Sequence, residues 1–313
     1  MSGATTETKI NLSGTTGAGM RGAGTDAGMR GAAHDGLTGM RGAARRRIAV
    51  KVGSNVLTRA NGSLDFTRMS ALADQIVELR ARGFAVVLVS SGAVTAGRNA
   101  LRLSAAETAA LGEVGSRQLF SAVGQAKLMN RYVELFQDDG IVCGQILTTK
   151  EHFSTPEHCE NQKRCLEVML ANDVVPVVNE NDTISIAELM FTDNDELSGL
   201  IARLVGAELL VILSNVDGIF TGTDGVAGTA AGTAISEARL IREVRAGDAV
   251  ESFISAGKSA FGRGGMVSKC KVAREVAAAG IPVVIANGRR ENILLKIFDD
   301  PAGTPCTRFL AGE

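Results

Sequence analysis

The chain has 313 residues, enough for one large or two medium domains, and its 45% hydrophobic and 21% charged residues are the balance of a soluble globular protein. A net charge of −1 and a pI of about 6.4 argue against the basic footprint of a nucleic-acid-binding protein, while leaving room for a local basic patch at a phosphate site. Five scattered cysteines without a C-x-x-C pair, three badly spaced histidines (His34, His152, His158) and the lack of any apolar run near ~18 residues argue against a disulfide framework, a metal centre and a membrane span.

Residues 1–46 are rich in Gly, Ala, Thr and Arg, and Gly-Met-Arg-Gly-Ala occurs three times, from Gly19, Gly28 and Gly39. Such a segment buries too little apolar surface to offset its ordering entropy, so a low-complexity, disordered arm is expected. Gly17 to Gly22 fits G-x-G-x-x-G, but no strand precedes it and no helix pattern follows, so a dinucleotide site is rejected. The arm bears arginines and few acids, yet it lacks the amphipathic periodicity of a targeting segment.

The periodic chain starts at Arg47. Ile48–Val52 reads as a strand, followed by Lys51-Val52-Gly53-Ser54, a lysine beside exposed backbone N–H groups. From Asp65 to Arg82 the apolar residues Met69, Leu72, Ile76 and Leu79 share one helix face, with Asp65 as N-cap and Gly83 just past the end. Strand Phe84–Val89 ends in Ser90-Ser91-Gly92-Ala93, a second turn suited to an oxyanion. Helix Arg117–Gln137, strand Ile141–Leu147 and helix Glu157–Asn172 follow. Strand Val174–Val178 then turns polar at Asn179, Glu180, Asn181 and Asp182, and a second polar cluster, Asp193-Asn194-Asp195, caps a helix running to Val205. Two such clusters after a buried strand predict a small polar ligand at the carboxyl edge of an open sheet.

Glu208–Leu213 is the next strand, ending in Ser214-Asn215, and residues 221–234 read as a surface loop. The turn from Lys258 to Lys269 feeds a helix, Lys271–Ala279, before strand Ile281–Ala286, a short helix near Asn292–Phe298 and an edge strand, Thr307–Leu310. Strands alternating with helices predict an α/β fold, a three-layer α-β-α sandwich on a mostly parallel central sheet.

Gly257-Lys258-Ser259 looks like the tail of a P-loop, but Ser252 stands where its first glycine belongs, and neither a protein-kinase set nor a nucleophile elbow is present. What remains is distributed: a lysine after the first strand, a Gly/Ser turn after the second, acids in the middle and a late Gly-Gly-Met-x-Ser-Lys turn. Phosphoryl transfer uses that inventory, with cations and N–H groups on the transferring group and a carboxylate to position them.

From Arg47 onward, these residues resemble the amino acid kinase family, and its glutamate kinase branch in particular. Lys51-Val52-Gly53-Ser54 and Gly264-Gly265-Met266-Val267-Ser268-Lys269 belong to the wider family, and Val123-Gly124-Gln125 also carries the resemblance; Ser90-Ser91-Gly92-Ala93, Asn179-Glu180-Asn181-Asp182 and Asp193-Asn194-Asp195 are similar to the branch. The resemblance implies ATP-dependent phosphorylation of the γ-carboxylate of L-glutamate, the first step of proline synthesis, with Mg²⁺. It implies that Lys51 and Lys269 flank the γ-phosphoryl group, that Gly53 and Gly92 offer it backbone N–H groups, and that Asp195 holds the lysines in register. Ser91, Asn179, Asp182, Asp193 and Asn194 would bind the amino acid. Lys51, Ser214, Asn215 and the turn Arg263, Gly264, Gly265, Met266, Val267, Ser268 and Lys269 would line the ATP site. The expected division is residues 47–205 for glutamate and phosphoryl group and 206–313 for ATP.

The family often has Thr-Asp where this chain has Ser214-Asn215, and a threonine where Arg263 stands. Many members carry a C-terminal PUA domain; with the chain ending at Glu313, none is expected, nor a nucleic-acid or membrane role. A homo-oligomer (dimer or tetramer), a cytoplasmic location and feedback inhibition by proline at the loop around residues 184–191 are further expectations of the resemblance. The alternatives are another amino acid kinase, of the acetylglutamate kinase or aspartokinase type, and a non-catalytic nucleotide-sensing protein of the same fold.

Overall fold

Five apolar runs without polar alternation are the mark of strands buried on both faces, and a parallel sheet covered by helices is what buries them. The computed structural model describes residues 45–59, 61–184, 191, 193–221, 239–248, 250 and 265–312. In chain order these form β1 (Arg46–Val52), α1 (Ser54–Leu57), α2 (Phe66–Ala81), β2 (Phe84–Ser90), α3 (Ala93–Leu101), α4 (Ala105–Ala110), α5 (Gly112–Gln137), β3 (Cys143–Thr148), α6 (Pro156–Ala171), β4 (Val175–Glu180), α7 (Asn194–Leu204), β5 (Leu209–Ser214), β6 (Glu243–Val244), α8 (Met266–Ala278), β7 (Val283–Asn287), α9 (Ile293–Asp299) and β8 (Cys306–Phe309). The arm to Ala44, the 222–234 part of the expected surface loop, Arg263, Gly264 and residues 185–190 lie outside the described residues.

The strands form one eight-stranded sheet in the order β3-β4-β2-β1-β5-β7-β8-β6. Every pairing is parallel except β7 with β8. Side chains alternate across the sheet. Ile48, Val50 and Val52 of β1 join Met69, Leu72, Ile76, Leu128 and Phe136 from α2 and α5 in one core, while Ala49 joins Leu197, Ile201, Val272 and Val276 from α7 and α8 in the other. These are the three layers expected from the alternation of strands and helices.

β1 lies between β2 and β5, and the chain winds away from it in opposite directions, so the β1–β5 junction is a topological switch point. Ligands of open α/β sheets bind outside the carboxyl ends of strands at such a point. Val52 pairs with Ser90 and with Leu213, and Ser214 with Asn287, which brings the ends of β1, β2, β5 and β7 to one edge.

Several boundaries differ from the sequence reading. α5 begins at Gly112, five residues before Arg117. β4 runs through Asn179 and Glu180, so the first polar cluster starts inside the sheet. α8 begins at Met266, so Ser268 and Lys269 stand in its first turn. β8 is flanked by the two-residue β6 and is not the sheet edge; two residues are too few to show alternation in the sequence. Among the described residues, no helix is long and apolar enough to cross a membrane.

Candidate active site

Lys51 is the one charged residue in the buried run of β1, and alternation turns it to the same face as Ala49, toward α7 and α8. Gly199 lets those helices approach: a Cβ there would stand 2.8 Å from Val272 Cγ1. Three elements thus deliver Lys51, Asp195 at the start of α7, and Lys269 at the start of α8 to one point. Lys51 Nζ lies 2.5 Å from Asp195 Oδ1, and Lys269 Nζ donates to Asp195 Oδ2 at 2.9 Å. The three residues are 4%, 0% and 6% exposed. Burial draws the Lys51 ammonium below its ordinary pKa, against the pull of Asp195. Burial pushes the Asp195 carboxyl up, but Lys51 and Lys269 pull harder, so it sits below the usual carboxylate range. Two ammonium groups are thus brought to one point in a low-dielectric place, an arrangement suited to meeting the oxygens of a polyanion.

Gly53 takes a part other than the one expected. Its N–H donates to Leu213 O at 3.2 Å, joining β1 to β5, so that donor is spent within the sheet. A Cβ at this position would lie 3.5 Å from Lys51 Nζ and 3.3 Å from Leu213 O, so the glycine keeps the space beside the ammonium clear. The Ser91 N–H likewise goes to Val52 O at 3.1 Å. Gly92 has φ 106°, in the left-handed region that glycine enters without strain, and it turns the end of β2 directly into α3. The first-turn N–H groups of α3 therefore stand at the carboxyl edge of the sheet.

The expected amino-acid residues form a connected polar network. Asn194 Nδ2 donates to Ser91 Oγ at 2.9 Å, to Ser90 O at 3.2 Å and to Asn179 Oδ1 at 2.8 Å. Asn179 Nδ2 donates to Gln125 Oε1 at 2.8 Å. Asp182 accepts from Arg117 Nε and, at 3.2 Å, from Ser121 Oγ; Arg117 also donates to Glu180 Oε2 at 2.6 Å. Asp193 is engaged on both oxygens: Oδ1 caps α7 through the N–H groups of Asp195 (2.8 Å) and Glu196 (3.1 Å), and Oδ2 accepts from Ser268 Oγ. Burial and the neighbouring Asp195 charge push the Asp193 carboxyl up. The geometry makes Asp193 the clasp between the starts of α7 and α8.

Arg117 and Ser121 of this network were not among the candidates read from the sequence, and Gln125 and Glu180 stood in motifs without a role of their own. Their signal was present in α5, where Arg117, Ser121 and Gln125 recur at four-residue intervals on one face of an otherwise apolar-cored helix. Gly97 and Gly124 bring α3 and α5 together: a Cβ on Gly124 would fall 1.8 Å from Ala93 O, and one on Gly97 1.8 Å from Phe120 O.

On the other side of the switch point, Ser214 ends β5 with its carbonyl accepting from Gly288 N at 2.8 Å, and its Oγ donates to Asn215 Oδ1 at 3.4 Å. Gly265 caps α8, Met266 packs against the core of that layer, and Val267 is exposed. Of the expected ATP-site residues, Arg263 and Gly264 lie outside the described residues. Among the described residues, no group of three or more His, Cys, Asp and Glu side chains is placed to hold a metal ion.

Comparison with known proteins agrees with this geometry. Residues 46–287 match the amino acid kinase family. The chain is 56% identical to a glutamate 5-kinase of Bacteroides thetaiotaomicron over 264 residues, covering 84% of this chain and 70% of that protein. It is 44% identical to a glutamate 5-kinase of Chlorobaculum tepidum (85% and 69% covered) and 42% identical to one of Symbiobacterium thermophilum (81% and 92% covered). In fold it is similar to a carbamate kinase from Giardia lamblia bound to AMP-PNP, with a TM-score of 0.59 at 16% identity, covering 86% of this chain and 99% of that one. A UMP kinase from Ureaplasma parvum has the same fold, with a TM-score of 0.56 at 14% identity, covering 86% of this chain and 100% of that one.

Proposed function

The chain belongs to the amino acid kinase family, and from that premise we propose that it transfers the γ-phosphoryl group of ATP to the γ-carboxylate of L-glutamate, giving L-glutamyl 5-phosphate and ADP for proline synthesis. The observation that carries this reading is the buried Lys51–Asp195–Lys269 bridge at the switch point, with the polar network of Ser91, Asn179, Asp182 and Asn194 beside it. Relatives named glutamate 5-kinase at 42–56% identity support the choice of acceptor.

In this mechanism the transferring group passes between Lys51 and Lys269, whose ammonium groups meet the charge on its equatorial oxygens. Asp195 sets their separation, and the glycine at 53 keeps room beside Lys51. The start of α3, after Gly92, contributes N–H groups on the acceptor side. A γ-carboxylate with an ordinary pKa of about 4.3 is already ionised at neutral pH, so no general base is required. Asn179, Asn194, Ser91 and Asp182 bind the amino acid, and Asp193 acts by clasping α7 to α8. Ser214, Asn215 and the start of α8 from Gly265 line the nucleotide side, so residues 47–205 serve glutamate and phosphoryl group and residues 206–313 serve ATP.

Mg²⁺ bound to the nucleotide neutralises phosphate charge. Asp193 and Asp195 are both committed to protein partners, so we assign the ion to phosphate oxygens and water rather than to a protein cage. Feedback inhibition by proline, assembly as a dimer or tetramer, and a cytoplasmic location, in keeping with five free cysteines, complete the reading. The test is glutamate-dependent ADP release with and without proline; release that does not depend on glutamate would refute it.

A further inference from the structure

We propose that Arg117 is a positioning residue for the amino-acid substrate: it fixes the Asp182 carboxylate and sets the charge of the pocket that receives the α-ammonium group. The proposal rests on the glutamate reading above and extends it to a residue outside the motifs. α5 presents Arg117, Ser121 and Gln125 at i, i+4 and i+8, hence on one face. Each meets a polar residue of β4 or the turn after it: Arg117 meets Glu180 and Asp182, Ser121 meets Asp182, and Gln125 meets Asn179. A row of three side chains on one rigid helix thus sets the orientation of the polar groups that close the substrate end of the sheet. The same helix is locked to α3 by the close approaches at Gly97 and Gly124, so the row keeps a fixed distance from Ser91 and Gly92.

The charges matter as much as the geometry. The Arg117 side chain is 15% exposed, and those of Glu180 and Asp182 are 3% and 5% exposed. One guanidinium thus lies between two buried carboxylates. Thirteen residues after Asp182, Asp195 holds the Lys51 and Lys269 ammonium groups together at one point, with Asp193 as a further acidic neighbour. The two ends therefore differ in character: buried carboxylates line the one suited to an ammonium, and two lysines meet at the one suited to a carboxylate and a phosphate. A carboxylate has about four acceptor positions, so Asp182 keeps capacity for the substrate while Arg117 and Ser121 hold it. Without Arg117, two carboxylates are left close together in a buried place. They repel, and the orientation of Asp182 is lost.

The test is steady-state kinetics and thermal unfolding of wild type, Arg117→Met, Arg117→Lys and Ser121→Ala. Arg117→Met is expected to raise the glutamate KM at least tenfold, with kcat within threefold and the ATP KM unchanged. Arg117→Lys, which restores the charge, should recover most of the loss at any Tm. If Arg117→Met does not fold, Ser121→Ala carries the test, with a glutamate KM raised severalfold. An unchanged glutamate KM in the folded variants, or a fall in kcat alone, would overturn the proposal while leaving the glutamate reading in place. A wild-type enzyme without glutamate-dependent turnover would instead overturn that reading and this one with it.

Discussion

Replacing Asp195 by Asn removes the carboxylate that both catalytic-site lysines face. Asp195 is fully buried, with Lys51 Nζ at 2.5 Å and Lys269 Nζ at 2.9 Å. The neutral amide keeps the shape but leaves two buried ammonium groups side by side. Removing one partner of a buried ion pair costs about 3–5 kcal/mol, because the uncompensated charge stays in the interior. The pH dependence follows from Lys51, whose folded pKa already lies below its ordinary value through burial. A lysine with a depressed folded pKa is penalised while charged, fully at pH below that folded value. The penalty is relieved as pH rises through the folded pKa toward 10.5. Asp195→Asn should deepen the depression, so its destabilisation should be largest near pH 7 and shrink by pH 9.5. Urea unfolding followed by far-UV circular dichroism measures both. Adding Lys51→Met to Asp195→Asn should restore part of the stability, since it removes one of the stranded charges. A loss under about 1 kcal/mol at pH 7, or the same loss at both pH values, would refute the reasoning.

Lys269→Ala should lower kcat by about 10²–10³-fold, the cost of removing one group that meets transition-state charge, with a near-normal circular dichroism spectrum. Asp182→Ala should act mainly on the glutamate KM in initial-rate measurements, and an unchanged KM would place Asp182 outside the substrate end. Gly124→Ala should lower stability by at least the 1–3 kcal/mol of an overpacked core, because its Cβ would sit 1.8 Å from Ala93 O and force α3 off α5. The displaced α3 should also reduce turnover, read from the same protein by thermal unfolding and activity.

How much of this was legible in the sequence depended on the range of each interaction. α2 was readable because Asp65 and Gly83 punctuate it locally, and the structure places the Asp65 side chain on Arg68 N and Gly83 at φ 91°. The start of α7 was readable from Asp193 for the same reason. β2 and β5 were readable as apolar runs. Glu180 misled: a carboxylate after an apolar run reads as a loop, yet it is the last residue of β4, buried because Arg117 pairs with it from 63 residues away. Nothing local announces such a partner. Gly265 misled in another way, since two glycines before Met266 suggest a turn continuing to Lys269, whereas Gly265 is the N-cap and the helix starts at once. Of the site, Lys51, Asp195 and Lys269 were legible through motifs, and their convergence on one point required the alternation of β1 and the packing of α7 on α8. Gly53 was legible as a residue but not in its part, because the Leu213 carbonyl that takes its N–H belongs to a strand 160 residues away.

The central claim is that this site phosphorylates free glutamate. Initial rates of ADP release with Mg²⁺, ATP and, in turn, L-glutamate, L-aspartate and N-acetylglutamate test it most directly. The account predicts that kcat/KM is highest for L-glutamate, with aspartate too short to bring its side-chain carboxylate to the lysines and N-acetylglutamate lacking the ammonium that the carboxylate-lined end receives. Turnover of aspartate or N-acetylglutamate faster than glutamate would contradict it.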